Sequence, residues 1–138
     1  MAKYKISVIG LFLITAILSC SHANSDPQAE VTIEQVNQKI ADSSDVVLLD
    51  VRTEQEFTGQ LGHLPGAMLI PIEELGDRLE ELAPYREKEI IVYCRSGNRS
   101  GHGAKLLNDQ GFNAFNMLGG MIAWNEKYGR PDDQKNNE

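Results

Sequence analysis

Cysteine is scarce in this chain, with two in 138 residues, Cys20 and Cys94. A small domain built on disulfides would carry many more, and a four-cysteine zinc site cannot be assembled from two. Neither a CxxC nor an HExxH segment occurs. Net positive charge is also missing: 13 Lys and Arg face 20 Asp and Glu, for a formal charge of −7. That excludes a general nucleic-acid binder, because phosphate affinity comes from a basic surface. The run Ile6–Leu18 is mostly apolar, but it falls short of the roughly 18 residues a membrane-spanning helix needs. What is present is an ordinary globular balance, 41% apolar and 24% charged, at the length of one domain.

The amino-terminal segment reads as an address. Lys3 and Lys5 precede the Ile6–Leu18 run, the pattern of a signal peptide over residues 1–23. Two processing routes stay open. Ser21-His22-Ala23 places small residues for cleavage after Ala23, whereas Ile17-Leu18-Ser19-Cys20 is similar to a lipobox that would make Cys20 a lipid anchor. Both routes put the domain outside the cytoplasm, in a bacterial periplasm, with membrane association only if Cys20 is lipidated. Removing residues 1–23 leaves 11 Lys and Arg against 20 acids. Cys94 is then the sole free thiol, so no intramolecular disulfide is expected.

The remainder alternates strand and helix patterns. Residues 24–31 are a polar linker. Thr32 with Gln35, and Thr53 with Glu56, are capping boxes that start helices. Val46–Asp50 and Glu89–Tyr93 are apolar runs suited to strands covered on both faces. Met68–Ile70 is a short strand that Pro71 ends, and Asn113–Met117 is another. Ile72, Leu75, Leu79 and Leu82 have helical spacing. Glu73, Glu74, Asp77, Glu80 and Glu81 lie opposite them, as a solvated face. A helix is predicted over 100–110, with Gly111 just past its end. Gly119-Gly120 marks a sharp turn before a short helix whose Trp124 packs in the core, and residues 130–138 are a polar tail. This alternation predicts an α/β domain with a parallel sheet covered by helices on both faces.

The chemistry concentrates in Tyr93-Cys94-Arg95-Ser96-Gly97-Asn98-Arg99-Ser100. A buried strand ends, a cysteine follows at once, and a helix starts a few residues on. The sulfur then sits at the carboxyl edge of the sheet, facing backbone N–H groups that favour an anion. Gly97 lets the amides curl into a nest, and Arg95 and Arg99 add positive charge. These effects favour thiolate over thiol, which makes a reactive cysteine. A merely structural cysteine would leave the Arg, Gly and Ser next to it without a purpose. Asp50 ends a strand on the same edge, where a hydrogen-bonded or ionic partnership with Arg52 or Glu56 is the simpler role. His63 sits in a turn and is expected to fix it, and His102 is expected on an exposed helix face.

The loop Cys94–Ser100 resembles the active-site loop of the rhodanese (sulfurtransferase) family. Leu49-Asp50-Val51-Arg52 with Glu56-Phe57, and Gly62-His63-Leu64-Pro65-Gly66-Ala67, are similar to its amino-side signature. Gly111-Phe112, Leu118-Gly119-Gly120 and Ala123-Trp124 match its carboxyl-side signature. The resemblance implies a rhodanese-like five-stranded parallel sheet in one domain over residues 32–129. It also implies that Cys94 attacks a sulfane sulfur, from a donor such as thiosulfate, and passes it from a persulfide to a thiol or cyanide. Amides of residues 95–99 would surround the outer sulfur. Arg99 would brace the loop, Arg95 would steer an anionic donor, Ser96 and Asn98 would shape the loop, and Ser100 would cap the helix. Asp50, Arg52 and His63 would support the site. No cofactor or metal is implied. The partners are a small sulfur donor and a thiol acceptor, protein thiols included, and a monomer is expected.

Two other function classes are separable. A persulfide carrier or sulfur- or redox-sensing module would share the loop but turn over slowly on small donors. A phosphatase of the same fold would use a Cys-x5-Arg loop. Here Arg99 gives Cys-x4-Arg, a tighter cradle suited to one sulfur.

Overall fold

The computed structural model describes residues 29–131. Cys20, the leader expected over 1–23, most of the expected linker and the end of the tail lie outside the described residues. Five strands form one sheet: β1 (Glu30–Val31), β2 (Val46–Asp50), β3 (Met68–Leu69), β4 (Glu89–Tyr93) and β5 (Asn113–Met117). Their order is β1-β5-β4-β2-β3, and every pairing is parallel. The central register pairs Val46 with Glu89 and Asp50 with Tyr93, so β2 and β4 end together at one edge.

The helices are α1 (Ile33–Ala41), α2 (Glu54–Phe57), α3 (Ile72–Leu75), α4 (Asn98–Asp109) and α5 (Gly120–Tyr128), with a 3-10 helix over Leu79–Tyr85. They cover both faces. Val47, Leu49, Ile90 and Val92 point to the face packed by Leu75, Leu82, Ala104 and Leu107. Leu48, Ile91 and Tyr93 point to the other, against Val36, Met121 and Trp124. This is the period-two alternation of a strand with two buried faces. Cys94 continues the first set and packs with Val92 and Ala104.

Both predicted capping boxes form: Thr32 with Gln35 opens α1, and Thr53 with Glu56 opens α2. Gly111 follows α4 with φ +81, as a left-handed residue past a helix end should.

Three expectations are corrected. The linker over 24–31 ends in β1, because the chain at Glu30 and Val31 hydrogen-bonds along β5. The single helix expected from Ile72 to Leu82 is broken: α3 stops at Leu75, with Gly76 as its cap, and a 3-10 helix resumes at Leu79. Gly76 is a weak helix former, and Pro84 inside the 3-10 segment has no N–H to carry an α ladder. Finally, α4 begins at Asn98 rather than Ser100, because Gly97 at φ +98 turns the chain into the helix.

Candidate active site

Strand β4 ends at Tyr93, and Cys94 sits at the carboxyl edge, 1% exposed. Gly97 N–H donates to Cys94 Sγ at 3.1 Å, and the Ser100 hydroxyl lies 3.3 Å from the sulfur. Burial pushes the thiol up. The Ser100 hydroxyl and the amides of Ser100, Ser96 and Gly97 push it down by more, and the balance falls below the ordinary thiol value. The hydrogen bonds thus favour the Cys94 anion by more than burial disfavours it.

The loop owes its shape to α5. Met121 N–H donates to the Cys94 carbonyl at 2.9 Å, and Ile122 N–H to the Arg95 carbonyl at 3.0 Å. Those two carbonyls are thereby engaged by the first turn of α5 rather than facing the sulfur. The approach is so close that a Cβ on Gly120 would lie 2.5 Å from Cys94 O. Gly120 also has φ +56. Close packing and backbone conformation both demand glycine there.

Arg99 turns away to Glu56, with Nη1–Oε2 2.8 Å and Nη2–Oε1 2.7 Å. Hydrogen bonds from Arg99 hold the Glu56 carboxyl at about 2, against an ordinary 4.5, although burial opposes them. Glu56 Oε2 also accepts from Thr53 N–H, so one carboxylate caps α2 and anchors the loop. Glu56, ahead of Cys94, is the main partner of the Arg99 charge. Arg95 is exposed and forms no salt bridge among the described residues. It borders a cleft of about 360 Å³ with Gln55, Glu56, Gln60 and Leu61. Ser96 and Asn98 line a second cleft, of about 460 Å³, with His102, Asn116 and Leu118.

Ser100 does not cap the helix. Gly97 occupies the cap with no side-chain bond, and Ser100, fully buried, turns inward to the sulfur and to Asn116 Oδ1 at 2.7 Å. Its position three residues after the cap points its side chain at the sheet.

Asp50 and Arg52 pair with each other, 0% and 1% exposed. Arg52 Nη2–Asp50 Oδ2 is 2.6 Å, and Arg52 Nη2 also donates to the Gly62 carbonyl at 2.7 Å. The pair ties β2 to the Gly62–Gly66 turn. His63 Nδ1 donates to the Phe57 carbonyl at 3.1 Å and stacks on the Phe57 ring at 3.7 Å, fastening that turn to α2. His102 is exposed on α4.

Two residues of the site were not assigned to it from sequence: Glu56 as the anchor of Arg99, and Asn116 behind Ser100. Asn116 did leave a signal, as a polar residue at a buried position of β5. Among the described residues no group of acidic, His and Cys side chains could hold a metal ion.

Fold and site together define an α/β domain with a buried cysteine in a hydrogen-bonding loop at the sheet edge. Residues 32–127 match the family model of the rhodanese-like domain, and the chain belongs to that family. A sulfurtransferase of Allochromatium vinosum is 35% identical over 103 residues, covering 74% of this chain and 92% of that protein. The thiosulfate sulfurtransferase PspE of Escherichia coli is 30% identical over 73 residues, covering 53% of this chain and 68% of that one. The crystal structure of a rhodanese-like domain protein from Staphylococcus aureus superposes with TM-score 0.63 at 31% identity, over 70% of this chain and 90% of its own.

Proposed function

We propose that this protein is a sulfurtransferase that moves a sulfane sulfur from an anionic donor such as thiosulfate to a thiol acceptor, through a persulfide on Cys94. The carrying observation is the Cys94 sulfur held by Gly97 N–H and the Ser100 hydroxyl, with its thiol lowered. Family membership and the sulfurtransferase named among the relatives support the same reading.

In the first half-reaction the Cys94 thiolate attacks the outer sulfur of thiosulfate. The Cys94 S–S bond forms as the donor S–S bond breaks, and sulfite leaves with the electron pair. In the second, an acceptor thiolate attacks the outer persulfide sulfur, forming a new persulfide and returning the Cys94 thiolate. No external oxidant or reductant is needed, and the kinetics are ping-pong. Arg95, exposed beside the loop, draws in the anionic donor.

Cys94→Ser is expected to abolish sulfur transfer from thiosulfate to cyanide. The wild-type chain treated with thiosulfate should gain about 32 Da, one sulfur atom, at the Cys94 peptide. Transfer retained by Cys94→Ser would overturn the reading. A persulfide that forms but passes to protein thiols much faster than to cyanide would mark a carrier instead. We place the protein outside the cytoplasm, on the strength of the Lys3, Lys5 and Ile6–Leu18 pattern. Intact mass from the native host distinguishes cleavage after Ala23 from lipid on Cys20.

A further inference from the structure

The Ser100 hydroxyl has one proton and two neighbours that would accept it. Cys94 Sγ lies 3.3 Å away and Asn116 Oδ1 2.7 Å away. Ser100 is 0% exposed and Asn116 is 5% exposed, so bulk water does not relieve the competition. One O–H points at one acceptor at a time. With the amide oxygen towards it, the shorter Asn116 contact competes with the sulfur for that proton. A neutral thiol, whose S–H can itself donate to Ser100 Oγ, tolerates the competition; a thiolate needs the proton for itself.

An asparagine amide can supply it. Its NH₂ and oxygen ends have nearly the same shape, and a half-turn about the last torsion exchanges an acceptor for a donor. Asn116 borders the 460 Å³ cleft beside Asn98 and His102. The end turned away from Ser100 therefore has polar, open space to face.

We propose that Asn116 is a positioning residue for Cys94: as the sulfur ionises, the Asn116 amide turns over and donates to Ser100 Oγ, directing the Ser100 proton onto the sulfur anion. The inference rests on Cys94 acting as a thiolate and not on the identity of the electrophile. It therefore stands or falls separately from sulfur transfer.

The test is the pH dependence of Cys94 alkylation by iodoacetamide, followed on the Cys94 peptide by mass spectrometry. Wild type, Ser100→Ala, Asn116→Leu and the double variant are compared, with far-UV circular dichroism as the folding check. Each single variant is expected to raise the midpoint by about half a pH unit or more, since each removes a hydrogen bond that favours the anion or the group that aims it. The double variant should match Ser100→Ala alone, because Asn116 acts only through Ser100. Asn116→Ala, which removes the amide without adding a charge, should raise the midpoint as Asn116→Leu does, and it decides the matter if Asn116→Leu does not fold. A midpoint at or below wild type in Asn116→Leu or Asn116→Ala overturns the proposal, as does a double variant shifted beyond Ser100→Ala.

Discussion

Arg99 and Glu56 stand 43 positions apart in sequence, yet their guanidinium and carboxylate meet through two hydrogen bonds, at 2.7 and 2.8 Å. The contact joins the first turn of α4 to the cap of α2, so the cysteine loop is anchored to the segment that follows β2. Four predictions arise from this and neighbouring contacts.

Glu56→Gln should cost on the order of 1 kcal/mol near neutral pH, from a partly exposed ion pair and a weakened cap. The cost should depend on pH in a definite sense. The folded carboxyl is depressed to about 2 from an ordinary 4.5. Its stabilisation is therefore present above 4.5 and fades as pH falls towards 2. Urea unfolding at pH 7 and pH 3 should show the gap between wild type and Glu56→Gln narrowing in acid. Glu34, held at about 2 by its hydrogen bond with Lys127, titrates in the same window and remains in both proteins.

Two glycine replacements should have opposite signs. Gly120→Ala places a Cβ 2.5 Å from Cys94 O and 2.7 Å from Arg95 O, at φ +56. It should cost about 2 kcal/mol or more and slow Cys94 alkylation, because the loop must move. Gly76 has φ −62 and nothing within 4 Å of an added Cβ. Gly76→Ala should stabilise by about 0.4–1 kcal/mol by restricting the unfolded chain. Thermal unfolding and iodoacetamide kinetics on both variants check the pair.

Asp50→Asn leaves Arg52 buried without its counter-charge, and should cost about 3 kcal/mol. Sulfur transfer per folded molecule should stay near wild type at low temperature, because the pair fastens a turn and does not touch the sulfur. Denaturant midpoints and activity measured on the same samples separate the two effects.

Arg95→Gln should lower kcat/KM for thiosulfate by about tenfold at low salt, with little change in kcat. The rate of Cys94 with anionic iodoacetate should fall more than that with neutral iodoacetamide. Adding salt should shrink both differences, since steering by an exposed charge is screened.

Much of the fold was legible because its determinants are local. The β-branched and Leu runs at Val46–Asp50 and Glu89–Tyr93 became strands at those bounds, and both capping boxes formed. Each depends on residues a few positions apart. The two-residue β1 was not legible, because Glu30-Val31 is too short to carry a period, and its hydrogen bonds belong to β5. The break between α3 and the 3-10 helix was likewise hidden, because apolar spacing alone does not register Gly76 as a stop.

By itself, the sequence determined that Cys94 follows a buried strand and opens a loop of Gly, Ser and Arg, since strand period and turn residues are written locally. Only the tertiary structure decided what those residues do. It sent Arg99 to Glu56 and turned Ser100 inward, between the sulfur and Asn116. Gly120 owes its necessity to the packing of α5 on the cysteine loop. The reason is that a hydrogen-bond partner is fixed by where strands β2, β4 and β5 place their ends, and the parallel order of the sheet brings together ends far apart in the chain.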